Sequence, residues 1–159
     1  MVQVLFVTFA LTLAAPAEPS PQAAERAAIE QTALDYIEGW YEGNAERMER
    51  AVHPELAKRI VYPDPRSGQS TLNQMGAMTL VQETAVGYGT KIPPEERDKD
   101  VIILDIYENA ASVKVVAARW IDYMHMAKVN GQWKIVNVLW ELRPDRKPKP
   151  EKSDEGSVE

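Results

Sequence analysis

Residues 120–141 read WIDYMHMAKVNGQWKIVNVLWE, and this stretch decides the fold. Asn130-Gly131 is the pair most favoured in a two-residue type I′ hairpin loop, because both central positions need positive φ. The stretch is therefore an antiparallel hairpin, and the turn sets its register. Val129 is expected opposite Gln132, Met126 opposite Ile135, Met124 opposite Asn137, Asp122 opposite Leu139 and Trp120 opposite Glu141. Side chains alternate between the two faces of a strand. One face then carries Trp120, Asp122, Met124, Met126, Trp133, Ile135, Asn137, Leu139 and Glu141. The other carries Ile121, Tyr123, His125, Ala127, Lys134, Val136, Val138 and Trp140. The first face has the greater apolar mass and is expected to be the interior one.

Before the hairpin, Ala111–Lys128 reads as one very long strand, which needs a bulge or bend. Val101–Tyr107 is another strand, with Glu108-Asn109 as the turn between them. The first half of the chain reads as helical. Ile29, Ala33, Tyr36, Ile37 and Trp40 form an apolar stripe at helical spacing, giving a helix over Gln22–Glu42. Asp35, Glu38 and Glu42 lie off that stripe, as solvated side chains would. Gly43 stops the helix, and Asn44 caps a second one running to about Ala51. A short strand is expected over Arg59–Tyr62, a turn-rich loop over Pro63–Gly68, a third helix over Thr71–Ala85 and a loop over Gly87–Lys99. Helices first and an antiparallel sheet afterwards is an α+β order.

The chain has 159 residues, 45% hydrophobic and 26% charged, as expected for one soluble globular domain. Its net charge of −6, with no basic stripe, points away from nucleic acid as a partner. There is no cysteine, which excludes thiol catalysis, disulfides and thiolate metal sites. Val2–Ala15 is mostly apolar and runs into Ala15-Pro16-Ala17, a small-residue pattern that reads as a secretory leader cleaved after Ala17. A membrane span would need about 20 apolar residues. The expected organisation is a leader over 1–17, a linker over 18–21, the domain over 22–143 and a disordered tail over 144–159, with the mature chain periplasmic or secreted and off the membrane.

Two segments, AIEQTALDYIEGWYEGNAERMERAVHPEL (28–56) and IDYMHMAKVNGQWKIVNVLWE (121–141), carry a family resemblance. The chain resembles the nuclear-transport-factor-2-like (NTF2-like) superfamily, within it the bacterial group named for lumazine binding. The resemblance covers about Gln22 to Leu142. It implies helices packed in a cone of curved antiparallel sheet with a pocket inside. A weaker resemblance is to ketosteroid isomerase. It implies Tyr36 and Asp122 as donors to an oxyanion and Asp64 as a proton-shuttling base.

Asp122, among Trp120, Met124 and Leu139 on the inner face, is the sharpest candidate, because burying a carboxylate raises its pKa unless a donor compensates. Asn137, diagonal across the hairpin, can donate to it, and the alternative to a ligand-facing role is a buried Asp–Asn or Asp–Trp hydrogen bond that fixes the sheet register. Tyr36, Trp40, Trp120, Met124 and Glu141 complete the candidate ligand contacts. His53 and His125 fall on different elements and give no metal spacing. Three readings follow: a non-catalytic binder of a small apolar or aromatic molecule, with no cofactor; an isomerase or dehydratase using Tyr36, Asp64 and Asp122; and an interaction domain whose cavity is filled by Trp and Met. The apolar side chains of the outer face, Ile121, Tyr123, Val136, Val138 and Trp140, predict a homodimer through that face.

Overall fold

The computed structural model describes residues 20–64 and 66–144. The expected leader over 1–17 and, from 145 onward, the expected tail lie outside the described residues. Helix α1 spans Pro21–Glu42. Ser20 caps it, its Oγ accepting from the Ala23 N–H, and Pro21 opens it where no N–H is needed. Gly43 ends it with φ 68°, a left-handed conformation that glycine adopts without a Cβ penalty. Asn44 caps α2, Ala45–Ala51, by accepting from the Arg47 N–H. Arg47 then reaches back to α1 and binds Asp35, Glu38 and Glu42 at 3.0, 2.5 and 3.0 Å. The three acids expected to be solvated are the clamp between the first two helices.

Strand β1 is Val52–Pro63, much longer than the short strand expected, and β2 is Ser70–Gly76. They pair antiparallel, Ile60 opposite Asn73 and Tyr62 opposite Thr71. The helix expected over Thr71–Ala85 is therefore half strand. Only Ala77–Val86 is helical, as α3, because Ser70–Gly76 takes its backbone partners from β1. Local pattern carries no information about a partner strand, and β propensity yields to that context. Short 3-10 turns at Gly89–Lys91 and Pro94–Glu96 lead into β3, Lys99–Tyr107.

The long strand expected over Ala111–Lys128 is a hairpin. β4, Ala110–Ala117, and β5, Trp120–Val129, fold against each other with Ala110 opposite Ala127 and Val116 opposite Ile121. The corner at Ala118-Arg119 carries no glycine, proline or asparagine to announce it. It is held from outside: the Tyr41 hydroxyl accepts from the Ala118 N–H at 2.9 Å and donates to the Asp98 carbonyl at 2.7 Å. β6, Gln132–Leu142, completes a sheet of order β2-β1-β6-β5-β4-β3. All pairs are antiparallel except β1 with β6, so the sheet is mixed. The helices pack on one of its faces, giving a single core that includes Ile29, Ile37, Met48, Val115, Met124 and Ile135.

The Asn130-Gly131 turn sets the register as expected as far as Met126 opposite Ile135. There the pairing shifts: His125 faces Asn137, and Val136 is the extra residue of a β-bulge. A bulge places two residues opposite one and turns the rest of its strand over. Beyond it Met124 faces Val138, Asp122 faces Trp140 and Trp120 faces Leu142. Val138 is fully buried and Trp140 half-buried, whereas Leu139 is 48% exposed. This corrects the expected faces of β6. Asn137, Leu139 and Glu141 are outside; Val138 and Trp140 are inside and leave the proposed outer patch.

Candidate functional site

Between α1, α3 and the inner sheet face lies a cavity of about 520 Å³. Tyr36 and Trp40 reach it from α1, Trp120 from β5, Trp140 and Leu142 from β6, Met75 from β2 and Leu80 from α3. Tyr88, Glu83 and Arg119 complete the wall. Aromatic side chains thus enclose it on several sides. A volume of this order, apolar with a few convergent polar groups, is what small-molecule sites have.

The polar centre is Lys58. Leu56, Lys58 and Ile60 are successive inward positions on β1, all buried, so the pleat drives a lysine into the core register. Its Nζ donates to the Tyr36 hydroxyl at 2.7 Å and to Asp122 Oδ1 at 2.7 Å. Asp122 Oδ2 accepts from Trp120 Nε1, also at 2.7 Å. Nζ lies 5.4 Å from the Tyr36 ring centroid and 4.9 Å from that of Trp140, both cavity walls. Among the described residues, no buried side-chain nitrogen or oxygen is left without a partner. That is the condition under which a buried ion pair is tolerated.

Burial pushes the Lys58 amine below its ordinary range, against the pull of Asp122. Burial, reinforced by the charge of Asp122, holds the Tyr36 phenol well above its usual value, so it keeps its proton. Tyr41 is likewise pushed up to about 12, chiefly by burial. Lys58 has three N–H donors, of which hydrogen bonds to Tyr36 and Asp122 use two. The third is available to an acceptor atom on a cavity occupant.

Of the residues singled out in the sequence, Tyr36, Trp40 and Trp120 line the cavity. Asp122 is fully buried one step behind it, with Lys58 in between. Its partners are Lys58 and Trp120 rather than Asn137. Met124 is buried in the core beneath. Asn137 is on the outer face, accepting from Arg59 Nη1 at 2.7 Å, and Glu141 is exposed, accepting from the Leu142 N–H. Both were expected inside, and the bulge at Val136 moved them out. Asp64 sits in the β1–β2 turn, where Oδ1 accepts from the Arg66 and Ser67 N–H groups; these hydrogen bonds hold its carboxyl below the usual range. It is not on the cavity wall, so the three residues of the isomerase resemblance do not converge. Tyr36 and Asp122 meet at Lys58 instead. His53 Nδ1 accepts from the Glu55 N–H, and His125 is on the outer face near Asn137.

Of the cavity residues that sequence reasoning missed, Lys58 and Trp140 matter most to its chemistry. The alternation Leu56-Lys58-Ile60 signals an inward lysine, but only once the strand is known to begin before Arg59. Trp140 could be placed only by the bulge.

A helix-backed mixed sheet enclosing such a cavity is the α+β cone of NTF2-like, cystatin-like proteins. The chain belongs to the family described as "Putative lumazine-binding", which matches residues 24–141. Solved structures similar to it include an NTF2-like protein of unknown function from Shewanella baltica, with 20% identity, TM-score 0.60, and coverage of 79% of this chain and 99% of that one. One from Silicibacter pomeroyi has 16% identity, TM-score 0.55, and coverage of 77% and 98%. One from Methylobacillus flagellatus has 18% identity, TM-score 0.56, and coverage of 76% and 93%. At these identities the likeness is one of fold. No curated protein matches the chain.

Proposed function

We propose that this protein is a non-catalytic binder of a small, flat aromatic molecule bearing a hydrogen-bond acceptor. The observation that carries the reading is the cavity itself: about 520 Å³, walled by Tyr36, Trp40, Trp120 and Trp140, with one ammonium group at its base. Indole and phenol faces favour stacked planar rings. The third N–H of Lys58 favours a ring carbonyl or ring nitrogen. Lumazine, named in the family description, is a molecule of this kind. The rest of the reading is export with removal of residues 1–17 and pairing of two copies through the outer sheet face, where Tyr123 and Leu139 stand opposite each other, 47% and 48% exposed.

Native mass spectrometry of protein purified from its own host is the test. One small molecule per chain is expected, lost in Trp140→Ala and in Trp40→Ala. A bare chain mass, together with no calorimetric heat on adding lumazine, refutes the binding reading. The same spectra read the mature N-terminus and the oligomeric state.

A further inference from the structure

We propose that Lys58 captures aromatic aldehydes in this cavity as a reversible imine. The proposal rests on the cavity being a binding site and adds a covalent step to it. Three geometric features support it. A primary amine stands at the base of an apolar, aromatic-walled cavity and is itself only 8% exposed. A carboxylate, Asp122, lies 2.7 Å from that amine and can take its proton. A phenol, Tyr36, also 2.7 Å away and on the cavity wall, can pass protons between the amine and an occupant.

The step balances without any further reactant. Lys58 gives one ammonium proton to Asp122. The freed lone pair on Nζ attacks the aldehyde carbon, a C–N bond forms, and the carbonyl π pair moves to oxygen. That oxygen takes the Tyr36 proton, and the nitrogen, now positively charged, returns a proton to Tyr36. The nitrogen lone pair then expels the oxygen as water, which leaves with the proton held by Asp122, relayed through Tyr36. An iminium is left paired with the Asp122 carboxylate, so the site carries the same charges before and after. Oxidation state does not change. A lysine moved out of water is the kind that serves as a carbonyl nucleophile, and burial favours the neutral amine here.

The probe is benzaldehyde with cyanoborohydride, which reduces an imine to a stable benzylamine, followed by peptide mapping at neutral pH. An exposed lysine with a pKa near 10.4 is almost wholly protonated there, and each unit of depression raises the reactive fraction about tenfold. Lys58, whose amine burial pushes below its ordinary range, is therefore expected to be benzylated faster than exposed Lys91. Benzyl alcohol, which has the same ring and no carbonyl, should protect Lys58 and not Lys91. Tyr36→Phe should slow modification of Lys58 without slowing that of Lys91. Labelling spread evenly over surface lysines overturns the proposal. If benzyl alcohol quenches tryptophan fluorescence while benzaldehyde leaves Lys58 unmodified, capture falls and the binding reading stands. If neither compound enters the cavity, both fall.

Discussion

Replacing Lys58 with methionine tests the centre of the molecule. The Lys58–Asp122 contact is 2.7 Å long between side chains that are 8% and 0% exposed. At an effective dielectric of 20, two unit charges at that distance attract by about 6 kcal/mol. Desolvating the two ions costs several kcal/mol each, so the intact pair contributes little net stability. Lys58→Met removes the attraction and leaves the Asp122 carboxylate buried without its cationic partner, the Trp120 indole N–H still donating to it. The expected loss is about 3–5 kcal/mol. For a domain of this size that lowers Tm by about 10–20 °C. Lys58→Met with Asp122→Asn removes both charges and keeps an acceptor for the indole. The double variant should lie within about 2 kcal/mol of wild type. Urea unfolding with an unchanged m-value is the assay, since only then is the change in midpoint a change in stability. A single variant within about 1 kcal/mol of wild type would refute the buried pair, as would additive effects in the double variant.

Gly89→Ala would put a Cβ 2.2 Å from the Trp40 carbonyl oxygen and 2.5 Å from its Cδ1. A loss of about 1–3 kcal/mol is expected, with a changed tryptophan emission because Trp40 must move. Val138→Lys buries an unpaired amine and should largely prevent folding, whereas Leu139→Lys, one position along on the outer face, should fold with a near-native melting curve; a reversed order in thermal melts would contradict the bulge. The Glu38 carboxyl is held below its ordinary value by hydrogen bonds from Lys99 and Arg47. A depressed folded-state pKa contributes stability above the unfolded value near 4.5, and that contribution disappears as pH falls through the lower folded value. As pH falls below about 4.5, wild type should therefore lose stability more steeply than Glu38→Gln in urea titrations; parallel curves would mean that the contacts of Glu38 do not matter.

Local chemistry determined a definite part of this protein. Asn130-Gly131 dictated a turn through the positive φ it needs, and Asn130 at φ 50° and Gly131 at φ 80° make it. Gly43 and Asn44 ended one helix and began the next for equally local reasons, and the spacing of Ile29, Ala33, Tyr36 and Ile37 put Tyr36 and Trp40 on the side of α1 that meets the sheet. These signals lie within a few residues of what they control. Other features depended on distant parts of the chain. Ser70–Gly76 is a strand because β1 is beside it, and the chain reverses at Ala118-Arg119 where the Tyr41 hydroxyl, from another element, receives the Ala118 N–H. The bulge at Val136 exchanged Asn137, Leu139 and Glu141 for Val138 and Trp140 on the inner face, because strand faces alternate with period two and one extra residue inverts all that follow. Lys58 is the sharpest case. A lysine in a strand reads as solvated, and only the assembled sheet sets it at the base of an aromatic cavity, where a phenol and a carboxylate from distant segments satisfy its charge.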